Sequence, residues 1–273
     1  MPHELLTARL ERKNCISERA QCFHFEFVLD NLKSFPYLPG QFISAVAEDA
    51  RGKQQTRAYS LASAPAENRF ELCVNRVEAG FFSNHLADLP DELDDLLPVG
   101  GAIRIHGPHG HFVLREPLTD SILVATGTGV APMRSFLQDL FPSSGEDRSQ
   151  GKEIWLVYGT RHETELYYRE EFEALELNAP NFHYLPTLSR PDETWMGLRG
   201  YVQEHVARIV KERADRLGQV LPVAAPDASI PVAELRFDIN AYICGLNEMV
   251  ASVRERLAGF GWHRKQIIFE RYD

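Results

Sequence analysis

The stretch Arg57-Ala58-Tyr59-Ser60 combines a cation, an aromatic ring and a hydroxyl group. Its alternating pattern predicts a β-strand, in which Arg57 and Tyr59 share one face while Ala58 and Ser60 share the other. Arginine forms paired, charge-assisted hydrogen bonds with a diphosphate, and tyrosine stacks on a flat heterocycle. The pattern therefore favours a flavin nucleotide as ligand. The alternative is an ordinary strand with a surface ion pair and a core tyrosine.

A glycine-rich turn, Thr126-Gly127-Thr128-Gly129, lies between an apolar run at residues 121–125 and a helical pattern from Met133 to Leu140. Strand, glycine turn and helix in this order form a phosphate cradle, because glycine lets the backbone approach a pyrophosphate. Pro132 stands where the third glycine of the usual dinucleotide motif would be. This departure argues against an ordinary dehydrogenase.

Two further buried-strand patterns end in Gly159-Thr160-Arg161 and Leu188-Ser189-Arg190. Ligands of open α/β sheets bind beyond the carboxyl ends of the strands, so both endings would face one cleft. An arginine cluster recognises phosphate strongly and gains little from a bare hydroxyl. The pattern therefore favours the 2'-phosphate of NADP, although surface ion pairing is the alternative for Arg161, Arg190 and Arg199.

The last two predicted strands carry further chemistry. The strand at 239–243 leads into Cys244, where a helix start would favour a thiolate, although a small buried hydrophobe is the alternative. The strand at 266–273 places Glu270 and Tyr272 on one face.

These motifs together resemble the ferredoxin-NADP reductase family over nearly the whole chain, in its R-x-Y-S, T-G-x-G-x-A-P, C-G-x-x-x-M-V and E-x-Y patterns. The resemblance implies that Arg57 and Ser83 hold the FAD diphosphate, Tyr59 stacks on the isoalloxazine and Ser60 approaches its N5. Ala58 and Gly80 would complete that site. The residues point the same way, because a hydroxyl and free backbone N–H groups at a helix N-terminus form an anion site, and a helix is predicted from Ser83 towards Leu89.

The same resemblance implies NADP(H) binding by Gly127, Gly129, Arg161 and the Ser189-Arg190 pair, with Arg199 completing the cluster and Thr128 lining the cleft. It also places Cys244 near the nicotinamide, Glu270 in a network with Ser60, and Tyr272 on the flavin as a movable gate. Here Asp273 extends one residue past that tyrosine, which departs from the family's ending.

The predicted fold has two domains. Residues 1–116 would form an antiparallel six-stranded β-barrel that binds FAD, since strand patterns recur at 5–12, 22–29, 42–46, 56–62, 70–77 and 102–106. Residues 117–273 would form an α/β Rossmann-like parallel sheet that binds NADP(H). A helix is predicted at 205–217, followed by a proline-interrupted loop at 222–231. Residues 88–95 read as an exposed acidic loop.

Composition and local patterns argue against several classes of protein. The formal net charge of −10 argues against nucleic-acid binding, and no apolar run is long enough to span a membrane. The N-terminus lacks a signal peptide's apolar centre, so we expect a cytoplasmic protein. The four cysteines lack cluster or zinc spacing. His109 and His111 suggest a metal pair, but no third ligand lies nearby in the sequence, so no metal site is predicted.

The leading function is an FAD-dependent reductase that exchanges electrons between NADPH and a small carrier, ferredoxin or flavodoxin. An acidic carrier requires a local basic patch, for which residues 263–265 with Arg271, or Arg51 with Lys53, are candidates. One alternative is an NADH-dependent reductase component of an oxygenase system. Another is a non-enzymatic electron-relay or regulatory subunit of a larger complex.

Overall fold

Residues 5–49, 51–90, 101–221 and 237–272 are described in the computed structural model. They form two units: the described residues within 1–114 and 131–148 make up the first, and those within 115–130 and 149–273 make up the second. The predicted acidic loop lies partly outside the described residues, and the proline-interrupted loop and Asp273 lie wholly outside them.

The first unit contains a six-stranded sheet in which each pair of neighbouring strands is antiparallel, in the order β4-β3-β6-β1-β2-β5. Its elements are β1 (Leu6–Ser17), β2 (Cys22–Leu29), β3 (Phe42–Glu48), β4 (Gln54–Ser60), β5 (Arg69–Asn75), the helix α1 (Phe81–Ala87) and β6 (Ala102–His109). A bridge between Leu61 and Leu72 joins the two ends of this order. The sheet therefore closes into a barrel, which removes its free edges.

Alternation along the strands builds the interior of the barrel. Phe25, Phe27 and Leu29 of β2 point inward and pack against Phe70 and Leu72 of β5. The rings of Phe27 and Phe70 stack with centroids 5.4 Å apart. The intervening residues of β2 and β5 occupy the outer face, as the two-residue period of a strand requires.

The second unit contains a six-stranded parallel sheet in the order β10-β9-β8-β7-β11-β12. Its strands and helices are β7 (Asp120–Thr126), β8 (Ile154–Thr160), α3 (Arg169–Asn178), β9 (Phe182–Leu188), β10 (Leu198–Arg199), α4 (Val202–Arg216), β11 (Ile239–Leu246), α5 (Asn247–Gly259) and β12 (Ile267–Tyr272). The central strands β7 and β11 are buried along nearly their whole length, as expected for strands covered on both faces.

The helix α2 (Val130–Leu140) follows β7 through a 3-10 turn at Gly127–Gly129. From Ala131 onward this helix groups with the first unit. Its residues Phe136 and Leu137 are buried, and an added methyl group on Gly40 of the first unit would lie 2.6 Å from the Phe136 ring.

The antiparallel and parallel six-stranded sheets confirm the predicted fold. The division at residues 116 and 117 stays a prediction. The predicted start of α1 at Ser83 is wrong, since the helix begins at Phe81 after the cap residue Gly80, whose carbonyl accepts the Asn84 N–H. Among the described helices, none is long and apolar enough to cross a membrane.

Candidate active site

The strand β4 places Arg57 and Tyr59 on one face, as predicted. They pair with Ala45 and Ile43 of β3, both of which belong to the barrel interior. The Tyr59 ring is half-buried against this core, and burial raises the pKa of its hydroxyl to about 12, although nearby Arg57 opposes the shift. Arg57 is exposed. The strand therefore offers a fixed, neutral phenol and an accessible guanidinium on the same face.

Ser60 ends β4 on the opposite face, where it pairs with Phe42. It is 6% exposed. Ala58, on the same face, is exposed. The predicted division of these four side chains between two faces is thus confirmed. Their contacts with a flavin stay a prediction.

Ser83 lies in the first turn of α1 rather than at its start, and its predicted role in anion binding stays a prediction. Ser83 lies within the helix and is 8% exposed, and its hydroxyl accepts the Val77 N–H at 3.0 Å. A methyl group on Gly80 would lie 2.6 Å from the Ser83 oxygen, so glycine is needed for this close approach. No side chain in the described chain caps the helix at Gly80. Backbone N–H groups of the first turn, rather than a capping serine, are the polar feature here.

The glycine turn of the second unit packs against the end of β11. A methyl group on Gly129 would lie 2.2 Å from the Cys244 carbonyl oxygen, and one on Gly245 would lie 2.3 Å from the Thr126 hydroxyl oxygen. That hydroxyl oxygen is buried and has no hydrogen-bond partner among the described residues. Two glycines therefore allow a close contact, beside which one buried polar atom lacks a partner in the described chain.

The arginines predicted for phosphate lie side by side. The Ser189 N–H donates to the Thr160 carbonyl oxygen at 3.0 Å, and the Arg190 N–H donates to the Arg161 carbonyl oxygen at 2.9 Å. The chain beyond β8 is thus paired with the chain beyond β9. Both arginine side chains are exposed. The geometry brings Arg161, Ser189 and Arg190 to one end of the parallel sheet.

Glu165 and Arg199 form hydrogen bonds beside this arginine cluster. The Glu165 carboxylate accepts the backbone N–H groups of Arg161 and His162 at 3.1 and 3.2 Å. Arg199 donates its Nη2 to the carbonyl oxygens of Trp195 and Asp192 at 2.7 and 3.2 Å. Arg199 therefore holds the 192–195 loop in place, which is a structural use of its guanidinium.

Three residues with predicted catalytic roles meet on β11 and β12. Cys244 pairs with Glu270 across the two strands, and Tyr272 follows on the same face. Cys244 is fully buried, and burial raises the pKa of its thiol, against a hydrogen bond with Tyr272. Burial therefore outweighs the predicted effect of the helix start, and the thiol is neutral. Its contact with Tyr272 gives that phenol a defined position within the second unit.

Sequence reasoning missed several polar contacts in the first unit. Arg134 of α2 is 8% exposed and bonds with the Glu71 carboxylate. His24 lies 3.4 Å from Glu26 and 3.6 Å from Glu71, within a group whose ligand-type atoms are all within 4.8 Å of one another. The available signal was a charged residue, Arg134, directly after Met133 and two positions before Phe136 in the helical pattern at 133–140.

Two family models match the chain. The oxidoreductase FAD-binding domain matches residues 7–114, and the oxidoreductase NAD-binding domain matches residues 123–255.

Curated relatives include ferredoxin–NADP reductase B of Sorangium cellulosum. It is 37% identical over 245 residues, which cover 88% of this chain and 87% of the relative. The toluate 1,2-dioxygenase electron transfer component of Pseudomonas putida is 25% identical over 242 residues, which cover 89% of this chain but only 60% of the relative. The chain thus spans less than two thirds of that oxygenase component.

Among solved structures, a ferredoxin NADP+ reductase from Neisseria gonorrhoeae with bound FAD and NADP is similar to the chain. Its TM-score is 0.71 at 20% identity, with 98% of each chain covered. At this identity the similarity concerns the fold alone.

Proposed function

The chain belongs to the ferredoxin-NADP reductase family, and from that premise we propose that it is an FAD-dependent ferredoxin (or flavodoxin)-NADP(+) reductase. It is an oxidoreductase and a flavoprotein that uses FAD and NADP(H). When bound, the flavin accepts a hydride and releases electrons singly.

The residues of the first unit fit a flavin nucleotide. Arg57 is exposed and suits a diphosphate, while Tyr59 presents a ring that is fixed by the core. Ser60 would donate a hydrogen bond near the flavin N5. The open first turn of α1 after Gly80 adds backbone donors, and Ser83 supports that turn through its bond from Val77.

The residues of the second unit fit a pyridine nucleotide. Gly127 and Thr128 form the turn before α2, where backbone donors suit a pyrophosphate. The unpartnered Thr126 hydroxyl beside Gly245 offers one more hydrogen bond. Buried Cys244 would shape the space for the nicotinamide, with Glu270 and Tyr272 beside it. A neutral thiol suits packing rather than nucleophilic attack.

The observation that carries the NADP preference is the pairing of Arg161 with Ser189-Arg190. Two exposed guanidinium groups and a hydroxyl at one end of the sheet match a phosphate that carries two negative charges. A bare ribose hydroxyl would leave both arginines without a partner of opposite charge. Arg199 contributes by holding the adjacent loop.

This preference is tested by calorimetric titration with 2'-phospho-AMP and with AMP. Each charge-assisted hydrogen bond contributes about 1.5–3 kcal/mol, so Arg190→Ala should weaken 2'-phospho-AMP binding by roughly tenfold or more and leave AMP binding unchanged. Arg148→Ala is the control, since Arg148 is an exposed arginine paired with Asp139 in the first unit. Equal affinity for the two nucleotides in the unmodified protein would refute the proposal.

A basic patch at the edge strand β12 suits an acidic electron carrier. Phe269 is 37% exposed, and the guanidinium carbons of Arg254 and Arg271 lie 3.9 and 5.1 Å from its ring centroid. Arg264 and Lys265 are exposed just before β12. Within the described residues, none of these four cations forms an ion pair. On a chain of net charge −10, this β12 basic patch would steer an acidic partner.

The other candidate, Arg51 with Lys53, is less suited to a carrier. Both backbone N–H groups bond to the Asp49 carboxylate, which places a negative charge at the centre of that turn. The pair therefore serves as a matched control. Arg264→Glu with Lys265→Glu should slow NADPH-dependent reduction of ferredoxin or flavodoxin most at low salt, while Arg51→Glu with Lys53→Glu should change it little. Equal effects of the two double variants would contradict this docking surface.

An NADH-dependent reductase component of an oxygenase system is the second candidate, supported by the similarity to the toluate dioxygenase component. In that case NADH would reduce the flavin at least as well as NADPH. The predicted cytoplasmic location stays a prediction.

A further inference from the structure

The segment Ala62–Ala64 begins two residues after Ser60, the last residue of β4. Its backbone is bonded on several sides, since the Ala62 N–H donates to the Glu71 carbonyl oxygen at 2.8 Å. The buried Tyr37 hydroxyl lies 3.0 Å from the Ser63 carbonyl oxygen and 2.9 Å from the Ala64 carbonyl oxygen. This segment is therefore held firmly although it belongs to no strand.

The helix α2 supplies the remaining bonds to this segment. Arg134 donates to the Ala62 carbonyl oxygen at 2.7 Å, and the Ser135 hydroxyl donates to the Ser63 carbonyl oxygen at 2.5 Å. The Gln138 side chain accepts the Ala64 N–H at 3.0 Å. Three residues on one helix thus satisfy three consecutive residues of the segment, which is more than packing alone requires.

Arg134 connects this segment to β5, because its Nη1 donates hydrogen bonds to two acceptors. The same nitrogen that bonds the Ala62 carbonyl also bonds the Glu71 carboxylate, and the arginine side chain is 10% exposed. A guanidinium so buried requires a carboxylate partner. Glu71 lies on the outer face of β5, beside His24 and Glu26 of β2. This carboxylate therefore orients Arg134 towards the backbone that follows β4.

The same charges argue against a metal ion in this group. Glu71 is neutralised by Arg134 and Glu26 by Arg12, so His24 and the two carboxylates have little net negative charge to attract a cation. The group is better explained as an ion-pair network that supports a backbone segment.

We propose that Arg134 and Glu71 form a positioning pair that fixes the end of β4 and thereby the placement of Tyr59 and Ser60 against the flavin. This inference rests on the proposed assignment of those two residues to the flavin site. The chain from Ser60 to Ala62 is too short to absorb a shift of the Ala62 carbonyl, so loss of the Arg134 bond would reach Ser60.

The test compares Arg134→Met with the double variant Glu71→Met with Arg134→Met. The single change leaves a partly buried carboxylate without its partner, whereas the double change replaces the pair with apolar side chains of similar size. The double variant should therefore recover much of the stability of the FAD-free protein, measured by thermal unfolding. Neither variant can restore the bond to the Ala62 carbonyl.

Binding of FAD to the FAD-free protein is measured by quenching of flavin fluorescence, together with the flavin absorption bands and midpoint potential. We expect FAD affinity to fall about tenfold or more in both variants, as for loss of a charge-assisted hydrogen bond, and the absorption bands to shift in both. Glu71→Gln, which keeps an acceptor for Arg134, should retain most of the affinity. Arg148→Met, which removes an exposed ion pair in the same unit, should change nothing.

Recovery of FAD affinity and spectrum together with stability in the double variant would overturn the inference, because it would mean a purely structural pair. Unchanged FAD binding in Arg134→Met would overturn it as well. Failure of the proposed flavin site is a separate result, since Arg57→Ala and Tyr59→Ala would then leave FAD binding unaffected.

Discussion

Replacement of Gly129 by alanine tests how tightly the glycine turn packs on β11. The new methyl carbon would lie 2.2 Å from the Cys244 carbonyl oxygen and 2.6 Å from its carbonyl carbon. Non-bonded heavy atoms prefer about 3.5 Å or more, so the two backbones must separate by roughly 1.3 Å. Gly129 lies in the turn that follows β7, and Cys244 lies on β11, which pairs with β7 through Ala125, so the contact is between two backbone segments. The clash therefore cannot be relieved by a side-chain rotation.

Gly127 provides the matched comparison within the same turn. Its φ is +54°, and an added methyl group would have no heavy atom within 4 Å. Gly127→Ala should thus lower the free energy of unfolding only by the energy of placing alanine in a left-handed conformation, about 1–2 kcal/mol. Overpacking lowers the free energy of unfolding by about 1–3 kcal/mol, and each hydrogen bond lost from the strained strand pairing lowers it by about 1 kcal/mol more. Gly129→Ala should therefore lower the free energy of unfolding by about 3–4 kcal/mol.

Tryptophan fluorescence suits this measurement, because all three tryptophans, Trp155, Trp195 and Trp262, lie in the second unit. At about 2–4 °C per kcal/mol, the melting temperature of Gly129→Ala should lie roughly 4–8 °C below that of Gly127→Ala. A Gly129→Ala protein that melts no lower than Gly127→Ala would refute the packing argument.

Two further predictions concern buried charges. Burial lowers the pKa of His24 below its ordinary value, so the unfolded chain binds a proton more readily, and stability is lost as pH falls from about 6.5 towards the folded pKa. His24→Gln should flatten this acid loss in urea unfolding between about pH 7 and pH 5, and an unchanged slope would contradict it. Arg213→Met should cost about 3 kcal/mol or more, because Arg213 is 8% exposed and pairs with Asp120 at 2.8 Å. The exposed pair of Arg208 and Glu212, 3.8 Å apart, is the control: Arg208→Met should cost less than about 1 kcal/mol, and similar losses in the two variants would contradict the distinction.

The sequence predicted the fold because its signals were local. Strand alternation in 22–29 and the continuous apolar run at 121–125 both lie where the structure has β2 and β7. The start of α1 was wrong because the signal at Ser83, a serine that resembles a helix cap, competed with Gly80, which caps the helix with its backbone.

The contacts that the sequence could not predict are long-range. Arg134 and Glu71 are separated by 63 positions, and no local period marks their pairing. The approach of Gly129 to the Cys244 carbonyl joins two separate parts of the chain, whereas the predicted approach of Gly129 to a phosphate stays a prediction. The roles of Arg57, Ser60 and Arg190 towards their cofactors stay predictions, since position on a strand does not specify what a side chain binds.

The central claim is tested most directly by anaerobic reduction of the flavin-loaded protein in a stopped-flow instrument, with NADPH and NADH in separate experiments. We predict rapid loss of flavin absorbance with NADPH, much slower loss with NADH, and a smaller difference between the two in Arg190→Ala. Arg190→Ala should leave the reaction with NADH unchanged. Reduction by NADH that is as fast as by NADPH would contradict the account and favour the oxygenase reductase.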